Sequence, residues 1–389
     1  MSPPLRARVL DSIASIPAAQ WERLRDPAWT PFQRHAWLRA LEEARCAAPT
    51  RGWTPRHVTL WRDDALVAAA PAYLREDSQG EFVFDHQWAA AADRAGIAYY
   101  PKVTLAVPFT PCPGRRFLVA PDEPRAERVR DLLRETLAMA RKEGASSVHA
   151  LFVTDDEAEA AAAEGASIRH GIQFHWQNPG YRDVDAFLAR FAHGRRKTLK
   201  REARAAAEQG ITLRTRRGAE LSPADAPLLH KLYCTTVDKF VWGRRYLNER
   251  FFAQVLREMP EHLEVVEALR EGKVIAAAIN VASETHLYGR YWGCFEEHPF
   301  LHFNVCYYHS IAECIRRGVK VFEGGAGGEH KLSRGFEPSV TRSAHWVFHP
   351  GLGRAVDDFV RRERAAIEHE LPRIEAEAGM KPFTSPGSG

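Results

Sequence analysis

Several things are scarce in this 389-residue chain, and each scarcity removes a class of protein. It has six cysteines, Cys46, Cys112, Cys234, Cys294, Cys306 and Cys314, with no Cys-x-x-Cys pair and no regular spacing. A chain this long needs no disulfide staples, so reduced thiols are expected, and structural zinc is disfavoured. Charge of one sign is also lacking: 54 Lys and Arg face 50 Asp and Glu, a net charge of +4. That is too mild for a globally basic nucleic-acid binder, so an anion site must come from local clustering. No run of 18 apolar residues occurs, and the N-terminal Met1-Ser2-Pro3-Pro4-Leu5-Arg6 has no apolar signal-peptide core. A cytoplasmic protein without a transmembrane segment is the expectation. Catalytic signatures are missing too: no Gly-x-Ser-x-Gly, no His-Glu-x-x-His, no Gly-x-Gly-x-x-Gly after a first strand.

What is present suits a folded chain of more than one domain. Hydrophobic residues make up 45% and charged residues 27%, close to the globular average. The pattern predicts helices over 32–46, 122–143, 155–164, 183–191, 195–209, 222–238, 248–258 and 303–317. Strands are expected over 56–61, 66–74, 147–153, 168–176, 211–216, 262–270, 273–283, 285–292, 319–323 and 343–348. A last helix starts near Leu352, and Pro372 should end or kink it. Helices, then antiparallel-looking strands, then a helix and a closing strand recur in both halves. That order predicts a mixed α/β (α+β) fold in two domains, 1–178 and 179–382, parted at the turn Asn178-Pro179-Gly180, with a disordered tail over 383–389.

The most informative stretch is Phe322-Glu323-Gly324-Gly325-Ala326-Gly327-Gly328-Glu329-His330-Lys331-Leu332-Ser333-Arg334. Four glycines in five positions after a strand allow a ligand close to the backbone. Amide formation needs a group to take the amine's proton and a cation for the carbonyl oxygen. Glu329 or His330 suits the first task, and Lys331 or Arg334 the second. No Gly-Lys-Ser/Thr follows, so this is not a P-loop. In the strand around Tyr288-Gly289-Arg290-Tyr291-Trp292, alternation puts Tyr288, Arg290 and Trp292 on one face, fit to shape a pocket. Asn304, before a helix, and Lys102, in a Pro-aromatic run, are further substrate-binding candidates. His298 and His302 are four apart, but Pro299 argues against a helical metal pair, and no metal is expected. Arg195, Arg196, Lys197 and Lys200 open a basic helix that continues through Arg201 and Arg204. It is a solvated face or a phosphate site.

Taken together, Tyr99-Tyr100-Pro101-Lys102, Val107-Pro108-Phe109-Thr110-Pro111, Phe174-His175-Trp176-Gln177-Asn178, Tyr288 to Gly293 and Gly327-Gly328-Glu329-His330-Lys331 resemble the FemAB-like family. That family is associated with peptidoglycan biosynthesis or recognition and placed among GNAT-type acyltransferases. The resemblance implies tandem GNAT-like domains and transfer of an acyl or aminoacyl group to an amine acceptor, small or peptide-like. The donor is left open between acyl-CoA and aminoacyl-tRNA, with no tightly bound cofactor and tRNA as a candidate partner. The better-known Fem transferases carry a lysine shortly before an aromatic-glycine pair; here Lys331 precedes Gly335-Phe336, in reversed order. The Arg/Gln-x-x-Gly-x-Gly/Ala pattern that cradles coenzyme A in ordinary GNAT enzymes is absent. That absence keeps a non-catalytic ligand-recognition module as the alternative.

Overall fold

A computed structural model describes residues 4–240, 243–325 and 327–382, with only the backbone of Glu329. The expected tail at 383–389 lies outside the described residues. The chain forms two compact units: one gathers the chain up to Gly171 with Val340–Glu368, the other Ile172–Ser339 with the chain from His369. The division therefore falls a few residues before the expected turn, and the chain returns to the first unit late. Pairing explains the return: Arg342 and Ala344 to Val347 form a ladder with the strand Ser147–Val153.

In the first unit, His57–Arg62 and Ala65–Ala70 form a hairpin, flanked by Leu5–Leu10 and Leu118–Val119, and the strand expected over 66–74 is divided between two sheets. A second set joins Trp53–Pro55, Ala72–Arg75, Lys102–Leu105 and Ser147–Val153. Its last two strands run parallel, linked through the helix Arg125–Lys142. Leu132, Leu133, Val103 and Val148 from the helix and these strands are packed in one apolar cluster. The helix His86–Arg94 was not legible in the sequence; it buries Trp88 and Ala92 in a run otherwise rich in alanine.

The second unit repeats that plan. Four strands, Ile211–Arg217, Leu263–Arg270, Lys273–Ala282 and His286–Cys294, pair antiparallel in chain order. The helical segment from Leu301 to Arg317 then crosses over to Val321–Glu323, parallel to His286–Cys294. Apolar residues at Ile311, Cys314 and Ile315 drive that helix onto the sheet beside Leu287 and Phe322. Gly293 is fixed by close approach: a Cβ there would stand 1.8 Å from the Leu232 carbonyl oxygen. The helix Ala226–Val237 thus rests directly on the strand backbone. The final helix, Pro350–Ala378, starts among the residues of the first unit and does not end at Pro372 but six residues later. Among the described residues, no helix is long and apolar enough to cross a membrane.

Candidate functional site

Where the two parallel strands of the second unit part, a cleft opens. Their pairing covers only His286, Leu287 and Tyr288 against Val321, Phe322 and Glu323. Beyond Glu323 the chain enters the glycine-rich loop. On the other side of His286–Cys294 the register slips between Ile279 and Asn280, so that Gly289 and Tyr291 are paired while Arg290 is the extra residue. Such a bulge bends a strand and redirects its side chains. The cleft has a volume of about 300 Å³, and its walls include Asn280, Arg290, Trp292, His302, Tyr307 and Lys331.

Lys331 is the buried cation of its wall. Only 2% exposed, it donates from Nζ to the Gly325 carbonyl at 2.6 Å and the Gly327 carbonyl at 2.5 Å. Burial lowers its pKa to about 8, against a smaller opposing influence of Cys306. Among the described residues no carboxylate reaches it. A lysine ammonium has three N–H donors, so one remains after the loop is held. The loop must be glycine here: a Cβ on Gly324 would lie 3.2 Å from Lys331 Cε and 2.9 Å from a Phe336 ring carbon.

His330 also lines the cleft, with Nε2 3.1 Å from the Tyr307 hydroxyl. Burial lowers its pKa, aided by the charges of Lys331 and Arg334. It is therefore a neutral imidazole at pH 7. Burial also raises the Tyr307 pKa, which keeps that hydroxyl protonated. The side chain of Glu329 lies outside what is described.

Other candidates fall differently. Arg290 and Trp292 line the cleft, but so do Gly289 and Tyr291, and Tyr288 is not among its walls. It is 4% exposed and stacks on His286, and the bulge at Arg290 breaks the alternation that would have aligned the three. Gly327 and Gly328 both border the cleft. Arg334, expected to bind ligand, is spent internally. It donates to Glu202 at 2.6 Å and to the His330 carbonyl at 2.9 Å, and lies 3.4 Å over the Phe303 ring. Asn304 is corrected in the same way: 2% exposed, its amide donates to the Glu202 carbonyl at 2.8 Å and the Phe300 carbonyl at 3.0 Å. Lys102 belongs to the first unit and is fully buried, bonded to Ser78, Glu81 and Asp85. That enclosure takes it away from the substrate-binding role expected of it.

The basic stretch occupies the helix His193–Glu208. Arg195 binds the Ser333 carbonyl at 2.8 Å, Arg196 the Phe191 carbonyl at 3.3 Å, and Lys200 pairs with Asp185 at 2.7 Å. Arg195 and Arg196 thus brace the chain internally, whereas the Lys200–Asp185 pair is exposed to solvent. Lys197, Arg201 and Arg204 are exposed.

Two cleft residues, Tyr307 and Asn280, were not singled out from the sequence, and His302 was weighed only as half of a metal pair. His302 has a pKa lowered to about 4, first by burial and then by His330, and sets its ring 5.1 Å from Trp292. Tyr307 and Asn304 lie in a single π-helical turn, Asn304–Tyr308, a local geometry frequent at functional sites. Asn280 sits in an alanine-rich strand with nothing local to mark it. Among the described residues no group of three His, Cys, Asp or Glu could hold a metal.

An antiparallel set that ends in a parallel crossover, present twice, defines a tandem GNAT-like fold. The solved structure of FemX shares it, with a TM-score of 0.54 at 11% identity over 88% of this chain and 98% of that one. A tandem GNAT protein from the clavulanic acid biosynthesis pathway is more distant, with a TM-score of 0.45 at 14% identity over 88% and 98% of the two chains. A conserved protein of unknown function from Bacteroides thetaiotaomicron VPI-5482 gives 0.49 at 10% identity, over 87% and 99%. No curated protein matches. The FemAB-like family model, described as peptidoglycan biosynthesis/recognition, matches residues 12–383, and the chain belongs to that family.

Proposed function

We propose that the second unit's cleft transfers an acyl or aminoacyl group from an activated donor to an amine, in the peptidoglycan-related chemistry that the family description names. One observation carries the reading. Lys331 keeps a buried cation at the cleft wall, hydrogen-bonded only to neutral carbonyls among the described residues. A buried charge is costly unless paired, so the site is suited to a group that becomes negative. In acyl transfer that group is the carbonyl oxygen of the tetrahedral intermediate, which the remaining Lys331 N–H would bind.

The amine nitrogen attacks the donor carbonyl carbon, the new C–N bond forms, and the C–S or C–O bond to the carrier breaks. Neutral His330 takes the amine's proton and returns it to the departing thiolate or alkoxide, so charge and protons balance. Arg290 and Trp292 flank the bound chain. Arg334, held by Glu202, keeps the turn bearing His330 in place. Donor classes are acyl-CoA and aminoacyl-tRNA, and the acceptor is a small or peptide-like amine.

The missing coenzyme A pyrophosphate pattern favours a second reading, a module that binds in this cleft without turnover. Incubating the pure chain with radiolabelled acetyl-CoA or charged tRNA and a panel of amines separates the two. Label transfer to an amine supports the enzyme; saturable retention of a donor without transfer supports the module.

A further inference from the structure

Strand Lys273–Ala282 contributes two residues of one face to the cleft, Ala278 and Asn280. Asn280 is 1% exposed, and its Nδ2 is buried without a hydrogen-bond partner among the described residues. Its neighbours along the strand are alanine and apolar: Ala276, Ala277, Ala278, Ile279 and Val281. None of them can satisfy an amide. The residue stands at the register slip, opposite Gly289, next to the bulged Arg290. An amide NH2 group enclosed in an apolar strand with nothing to donate to is expensive for the empty protein. An aliphatic residue of the same size would fit the alternation of this strand better. Such a violation of local consistency is expected where function demands it.

We propose that the Asn280 carboxamide is a substrate-binding group of the cleft, donating from Nδ2 to an uncharged carbonyl or amide oxygen of the bound donor or acceptor chain. The inference rests on the transferase reading of the same cleft and adds the chemistry that one wall recognises. A carboxamide is neutral, so it selects a carbonyl or amide rather than phosphate or carboxylate. Lys331 supplies the charge and Asn280 the directional neutral contact. The ligand class follows: a chain carrying an amide or ester carbonyl where it passes the bulge.

The test uses full-length protein and the variants Asn280→Leu and Asn280→Asp. Thermal melting without ligand comes first. Asn280→Leu removes an unsatisfied amide from an apolar setting, so its Tm is expected to equal or exceed that of wild type. A Tm well below wild type means that the amide holds the fold together and overturns the inference. Transfer is then measured with acetyl-CoA and with charged tRNA as donors. Loss of one neutral hydrogen bond predicts kcat/KM about tenfold lower in Asn280→Leu. Asn280→Asp is expected to fall further, because a carboxylate faces a carbonyl oxygen. Unchanged kcat/KM in both variants overturns the inference while leaving the transferase reading intact. Absence of transfer by wild type counts against that reading instead, and the melting comparison still decides whether the amide is structural.

Discussion

The Glu202 carboxylate and the Arg334 guanidinium meet at 2.6 Å, joining the helix His193–Glu208 to the turn Glu329–Arg334 that carries His330 and Lys331. Tyr308 donates to the same Glu202 oxygen. Both partners' side chains are 7% exposed, so removing one leaves a charge stranded in a poor solvent. Glu202→Ala is expected to destabilise the protein by about 3 kcal/mol, read as a lower midpoint in urea unfolding. Activity should fall with it, since the His330 turn loses its brace.

Charge on Lys331 sets a pH dependence. Its pKa is about 8 in the folded chain, below the ordinary lysine value. If the ammonium serves the reaction, kcat/KM falls as pH rises through about 8. Stability moves the opposite way. Below the folded pKa the lysine is protonated in both states and its burial is unfavourable. Between that value and the ordinary one, the unfolded chain binds more proton, so stability rises with pH over that window. Parallel kcat/KM and urea-midpoint profiles over about pH 7 to 10, compared with Lys331→Met, check both limbs.

At Gly293 the helix Ala226–Val237 lies so close that a Cβ would reach within 2.3 Å of the Leu232 carbonyl carbon. Gly293→Ala must push that helix off the strand whose adjacent Trp292 lines the cleft. A loss of about 1–3 kcal/mol is expected, measured by thermal unfolding, together with a raised KM.

The exposed cations Lys197, Arg201 and Arg204 test the nature of the donor. If charged tRNA is the donor, replacing all three with alanine weakens its binding. The slope of log affinity against log salt then falls by roughly 0.7–0.9 for each lost phosphate contact. Acetyl-CoA turnover by the same variant distinguishes a tRNA surface from a solvated helix face.

Much of this fold was legible because long periodic segments announce themselves. The crossover helix ending at Arg317 and the adjacent strands expected over 262–270 and 273–283 were both read from pattern. The glycine-rich loop and Lys331 were legible as chemistry, because a run of glycines beside cations has few other uses. Tertiary bonding was not legible. Arg334, Asn304, Arg195 and Lys102 looked like free functional groups, yet each is consumed by a partner distant in sequence, Glu202 lying 132 positions from Arg334. Periodicity also cannot foresee the bulge that puts Arg290 out of step with Tyr288. Asn280 was invisible for the opposite reason: its meaning lies in partners it lacks.

The most direct test of the account is single-turnover transfer of radiolabel to an amine by wild type and Lys331→Met, with circular dichroism to verify that both are folded. The account predicts a folded variant whose transfer rate drops by about 10²–10³, as for loss of a principal oxyanion donor. A folded Lys331→Met protein that transfers at the wild-type rate would contradict it.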